Sequence, residues 1–169
     1  ASLMEELLDV LGKEEKQYQE LITLATEKTD AVVQGNIEHL TDVTTREQDA
    51  ASVLLNLSNK RNRVLTDMAT VLGQSPEEMT ITKMIGYLNK QPKEQEALTR
   101  QRDRLLEAGA KMQQLNRQNE ALLKQALEMV EFDLTLLKSM RQAPETANYD
   151  KNAYNTGDLL GGSGFDAKQ

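Results

Sequence analysis

The 169-residue chain has no cysteine, no tryptophan, one histidine, three prolines, two phenylalanines and four tyrosines. Each shortage removes a class of protein. Without cysteine there is no disulfide scaffold and no thiolate metal site. With so few aromatics, narrow apolar seams between helices are a better expectation than a large isotropic core. No apolar run approaches the roughly 18 residues that a membrane span needs. Leu3 to Leu11 is interleaved with Glu5, Glu6 and Asp9 and lacks the basic start of a signal peptide, so the expected location is the cytoplasm. The formal net charge of -7 argues against a duplex nucleic acid as partner, because phosphate binding needs a concentrated basic face. The local run Lys60, Arg61, Arg63 reads as a solvated surface, since bases and acids alternate elsewhere.

Reactive chemistry is equally thin. His39 follows a helix start by three residues and has no spacing to a nucleophile and an orienting carboxylate, so Glu38 and Asp42 beside it read as surface charges. The pairs Glu14–Glu15, Glu77–Glu78 and Glu128–Glu131 lack the repeated Glu-x-x-His of a di-iron bundle. No calcium loop, phosphate loop or dinucleotide fingerprint is present, and the glycines from Gly157 to Gly164 follow no strand. The expectation is a protein that is not an enzyme and takes no cofactor or metal.

What the chain does have is Glu, Lys, Gln, Leu, Ala and Met, the strong helix formers, with an apolar fraction of 38% and a mean hydropathy of -0.59. A first helix is predicted over about 3–34. Leu7, Leu11, Tyr18, Leu21, Ala25 and Val32 share one stripe, and Glu14 and Lys28 occupy the two polar positions of the same three-four alternation. Gly35 and Asn36 then supply a helix stop and a new cap; a sharp turn and a kink both satisfy them. A second helix is predicted over 37–72, with a seven-residue series of Val43, Ala50, Leu57, Val64 and Val71 and a second edge of Leu40, Leu54 and Met68. Such a repeat specifies left-handed packing, and so short a link predicts an antiparallel hairpin. Ser75, Pro76 and Glu78 form a start signal for a short helix over 76–90, with Ile81, Met84, Ile85 and Leu88 on one face, expected to cap the open end of the hairpin.

From Pro92 to Pro144 the chain contains only one glycine, which predicts a long helix over 93–141, roughly 75 Å from end to end. Its first half carries Lys93, Arg100, Arg102, Arg104 and Lys111. Its second half gathers Leu115, Leu122, Leu123, Leu127, Met129, Val130, Phe132, Leu134, Leu136 and Leu137 on more than one face. So long a rod cannot be covered along its length by so short a chain, and its apolar end needs another part of the chain, another copy or a client. Leu122, Leu123, Ala126, Met129, Val130, Leu134 and Leu137 form a strip able to take an amphipathic helix, with Met129 and Met140 adaptable in shape. Internal packing against the first helix would consume the same strip. Asn119 and Asp133, spaced by sevens through Ala126, disfavour an uninterrupted homodimer seam. Residues 144–169, rich in Gly and Asn, are expected to be a flexible tail. Tyr149, Tyr154, Leu159, Leu160 and Phe165 within it are either incidental or a recognition peptide. The fold expected is all-α, an elongated antiparallel helical hairpin or bundle of coiled-coil-like helices over 1–143, followed by that tail.

The order of these elements carries a resemblance. A long hairpin, a short helix, and a longer helix with Asn116-Arg117-Gln118-Asn119 before Leu122-Leu123 precede a Tyr149-Asp150 tail. Together with Leu7-Leu8, Glu14, Tyr18, Leu21, Lys28, Leu40, Leu54, Leu57, Arg61 and Leu65, this resembles the FlgN family of flagellar export chaperones. The resemblance implies a cytoplasmic chaperone of hook-filament junction proteins that delivers them to the type III export apparatus. It implies client binding through the far part of the long helix, with Asn116 and Asn119 matching the asparagine pair, and export-gate docking through Tyr149 and Asp150. In this chain Lys151 to Thr156 stretch the spacing to Gly157 and include Tyr154, so the resemblance leaves open which tyrosine docks. The alternative reading is a coiled-coil structural or adaptor protein that self-associates through the long helix.

Overall fold

Polar caps set where the helices begin. In the computed structural model, which describes residues 2–141, the Ser2 hydroxyl accepts from the Glu5 N–H and opens α1 (Leu3–Gln34). The Asn36 side chain accepts from the His39 N–H and opens α2 (Ile37–Val71). Between them Gly35 takes φ 65°, a left-handed conformation that most side chains resist. It closes α1 with bonds from Gly35 N–H to Val32 and from Asn36 N–H to Ala31. The result is a sharp turn, and α2 runs back along α1: Arg46 meets Glu27, Glu47 meets Lys28, and Arg61 meets Glu14.

The segment after α2 departs from the expected helix over 76–90. Pro76–Glu78 forms only a single 3-10 turn, and the Ser75 hydroxyl makes no cap bond. The helix proper, α3 (Ile81–Gly86), starts at Thr80, whose hydroxyl accepts from the Lys83 N–H. Met79 explains the displacement. Its side chain is buried in the apolar cluster, and its backbone is extended at φ -72°, ψ 126°, which no continuous helix permits. Met79, Met84 and Leu88 close one end of the bundle over Leu7, Val10 and Leu11 of α1, Val64, Leu65, Met68 and Ala69 of α2, and Leu98 and Leu105 farther along the chain. Val71, last of the α2 series, is 76% exposed because α2 ends there and the chain turns away at Gly73.

Helix α4 (Pro92–Arg141) is the 50-residue rod. It runs parallel to α1, since Gln101 donates to Glu15, Gly109 lies against Tyr18, and Asn119 reaches Ala25. Among the described residues there is no strand, and no helix is long and apolar enough to cross a membrane. The tail, with Tyr149, Asp150, Tyr154 and Gly157, lies outside the described residues.

Helix α1 is therefore the central element, packed by α2 and by α4. It needs two seams. Leu7, Leu11, Leu21 and Ala25 come from the stripe visible in the sequence; Val10, Leu24 and Ala31, also buried, widen it. The polar stripe positions are buried and matched. Glu14 is 1% exposed, and its Oε2 accepts from Arg61 at 2.8 Å while Oε1 is buried without a hydrogen-bond partner among the described residues. Lys28 donates to Glu47 at 3.0 Å.

Burial pushes the Glu14 carboxyl above its ordinary value of 4.5, and the attraction of Arg61 only partly opposes this. A carboxyl raised in the fold favours the protonated state there. Its stabilisation is complete below the unfolded value and is lost as pH rises through the folded one. Across urea titrations between about pH 4 and about pH 8, the wild type should lose stability relative to Glu14→Gln as pH rises above 4.5. Arg61→Ala should steepen that loss and cost about 2–3 kcal/mol at neutral pH. A wild-type-to-Gln difference that does not vary with pH would refute the assignment.

Candidate functional site

Because α2 and α4 both lie on α1, they scarcely touch each other. Between them opens a groove of about 820 Å³. Leu21 and Lys28 of α1 form its floor. Thr44, Glu47, Gln48, Ala51 and Leu54 line the α2 wall, and Met112, Asn116, Asn119 and Glu120 the α4 wall. Each wall is one broad helix face, with Thr44, Gln48, Ala51 and Leu54 on α2 and Met112, Asn116 and Asn119 on α4 recurring at three and four residues. The lining is apolar at Leu21, Ala51, Leu54 and Met112, with amides, Ser52, Arg117, Glu120 and the Lys28–Glu47 pair around it. That is the unfilled fourth position of a helical bundle. A shallower hollow of about 210 Å³ on another side of α1 and α4 is lined by Glu15, Gln19, Arg104, Glu107 and Lys111, solvated charges with no reactive arrangement. Among the described residues no group of His, Asp and Glu could hold a metal ion.

The two asparagines expected at a binding surface have different roles. Asn119 is 3% exposed. Its Nδ2 donates to the Ala25 carbonyl at 2.7 Å, and its Oδ1 faces the Thr29 hydroxyl, which also lies 3.0 Å from the same carbonyl. Asn119 therefore clamps α4 onto α1. Asn116 is half-buried on the groove wall and donates to the Met112 sulfur at 2.9 Å.

Past Asn119 the rod outruns its neighbours. Thr29, its partner, lies five residues before the end of α1, so about 17 residues of α4, roughly 25 Å, extend beyond the α1–α2 turn. Leu122, Leu123, Ala126 and Leu127 are half-buried. Met129, Val130, Phe132, Leu134, Leu136, Leu137 and Met140 are between 48% and 75% exposed. The alternative of internal packing thus applies only to the near part of the strip. Stepping by seven, the groove residues Asn116 and Glu120 lead into Leu123, Val130 and Leu137 and into Leu127 and Leu134. Groove and overhang form one continuous face.

The architecture, a splayed three-helix body with a protruding apolar rod, is accompanied by one decisive match: the family model described as FlgN protein matches residues 3–157. The chain belongs to the FlgN family. Its members are flagellar export chaperones. No curated protein and no solved structure matches the chain.

For a FlgN protein, the groove is the feature that sequence reasoning missed. Of the residues on its α2 wall, Thr44, Glu47, Gln48, Ala51 and Leu54, only Leu54 stood out in the sequence. The available signal was the polar pair Glu14 and Lys28 inside an apolar stripe, which required partners on a second helix. Of the seven apolar positions expected in the strip, Met129, Val130, Leu134 and Leu137 are exposed, together with Phe132, Leu136 and Met140 of the same apolar half.

The different settings of the asparagines predict different losses. Asn119→Ala should lower unfolding stability by about 1–2 kcal/mol, because the Ala25 and Thr29 groups lose their partner. Asn116→Ala should stay within about 0.5 kcal/mol of wild type. Equal losses in urea denaturation would show that Asn116 is also structural.

Proposed function

We propose that this protein is a cytoplasmic chaperone that binds the C-terminal helical region of flagellar hook-filament junction proteins and delivers them to the type III export gate. The observation that carries this reading is the α4 overhang, with seven large apolar side chains between Met129 and Met140 about half to three-quarters exposed. Contiguous exposed apolar surface of this kind marks an interaction site. An amphipathic client helix laid along Leu123, Val130, Leu134 and Leu137 and into the groove beside Asn116 would occupy it by helix-in-groove packing. At about 25 cal/mol per Å², a few hundred Å² contribute several kcal/mol before the costs of association are subtracted. That supports a moderate, reversible complex, as shielding followed by release requires. Tyr149, Asp150, Tyr154 and Gly157 are the proposed docking elements for the gate, on the strength of the family resemblance alone.

The competing reading, self-association through the overhang, draws on the same exposed strip. Light scattering of the protein alone and mixed with a C-terminal junction-protein fragment from the same organism separates them. A defined heterocomplex supports the chaperone reading; a homodimer that ignores the fragment overturns it. Replacing Leu123 and Val130 together by Asp should abolish fragment binding with far-ultraviolet helicity nearly intact, because Val130 lies beyond the packed body and Leu123 at its margin. Undiminished binding would move the client elsewhere. Tyr149→Ala should spare fragment binding and weaken docking to the isolated cytoplasmic gate domain. Equal loss of both would put the tail in the client site.

A further inference from the structure

Polar residues recur within the helical seams of this protein, and each is answered across the interface. Glu14 meets Arg61, Lys28 meets Glu47, and Asn119 meets Ala25 and Thr29. The face of α4 that seats α1 follows the series Leu98, Leu105, Met112, Asn119, Ala126. Its first two members are buried in the core, Met112 packs beside Leu21 and Leu24, and Asn119 is bonded to α1. The next member is Asp133, past the end of α1. Its helical neighbours at four and three residues on either side are Met129, Val130, Leu136 and Leu137, all exposed. No cation lies within i,i+4 reach of it, and among the described residues it forms no ion pair. Exposed acids such as Asp9, Asp42 and Glu96 have a base four residues on; Asp133 differs from other unpaired acids, such as Glu38, in lying within an apolar arc.

We infer that Asp133 is the specificity residue of the overhang, and that the occupant it selects is a helix of another chain carrying an arginine or lysine within its apolar face. Two observations carry this. The α4 face that carries Asp133 continues the series that seats α1, where Asn119 is matched across the seam. The charge is also sited against a second copy. Asp133 is the midpoint of the overhang, so an antiparallel or in-register parallel pairing of two copies brings the Asp133 carboxylates together, which destabilises the pair. A basic client helix turns the same charge into an attraction shielded by the surrounding apolar ring. This inference rests on the proposed client reading and adds the chemistry of the client to it.

The test uses the full chain and the C-terminal junction-protein fragment, with binding measured by calorimetry at two salt concentrations. Asp133→Lys should weaken binding by about 30-fold or more, and Asp133→Asn should weaken it less while reducing its salt dependence. Changing one basic residue of the fragment to Glu should restore affinity for Asp133→Lys, a coupling that only a direct pair produces. If the wild type binds the fragment and all Asp133 variants bind within two-fold of it, the inference is overturned and the client reading survives. If the wild type does not bind the fragment, the client reading fails, and sedimentation of Asp133→Leu alone decides the inference. With the carboxylate gone, that variant should dimerise at concentrations where the wild type is monomeric. A monomeric Asp133→Leu, or a wild type already dimeric through the overhang, overturns it.

Discussion

Helix α1 has to present apolar surface to two neighbours that approach from different sides, and the form of the molecule follows from how its 32 residues meet that demand. One heptad stripe seats one partner. A broader buried face is needed here: Glu14 and Lys28 meet α2, Tyr18 and Ala25 meet α4, and Val10, Leu24 and Ala31 are buried beside them, so α2 and α4 sit on separate flanks of the same helix. Held there, α2 and α4 scarcely touch each other, and the groove lies between them. The second consequence is one of length. A 50-residue helix laid parallel to a 32-residue one must project beyond it, and the projecting part keeps its apolar faces without a neighbour from this chain.

The polar residues in the seams help set register. A buried carboxylate with one unsatisfied oxygen, as at Glu14, adds little to stability and is often replaceable by an apolar residue. What it does is penalise every alignment of α2 that does not bring Arg61 opposite. Lys28 with Glu47 imposes the same alignment nineteen residues apart in sequence, near the turn, and Asn119 imposes one on α4. Because uniform leucine-rich seams slide with little penalty, three polar matches of this kind are an economical way to fix which residues form the groove walls.

Much of this was legible in the residues, and the failures have physical causes. The all-α class, the α1 stripe, the Gly35–Asn36 stop and cap, and the length of α4 depend on local chemistry, which sequence records directly. The short helix was misplaced because Ser75-Pro76-Glu78 is a sound local start signal, overridden when burial of Met79 forces extended backbone after one turn. The groove was not legible, since it is bounded by residues from three helices and depends on where α2 and α4 each sit on α1. The division of the α4 strip into a packed near part and an exposed far part depended likewise on where α1 ends relative to α4. That offset is a parallel alignment set by Gln101 with Glu15 and Asn119 with Ala25, contacts separated by 86 and 94 residues.

On the proposed reading of the overhang as the client surface, an export chaperone faces a conflict. Its client surface must be apolar enough to hold a helix, yet it is empty whenever no client is bound, and apolar rods of this kind pair with one another. Enlarging the charged surface around the rod gives only partial protection. Lys124, Glu128, Glu131 and Lys138 occupy the polar side and leave the apolar arc free. A charge placed inside the arc acts differently, because it penalises the homotypic pairing in the very geometry that would bury most surface, and leaves a complementary partner unpenalised. The same device that aligns α1 with α2 through Glu14 and Arg61 thus reappears at Asp133 with one half missing. A seam that is matched internally makes a fold, and a seam whose match is supplied by another chain makes a binding site.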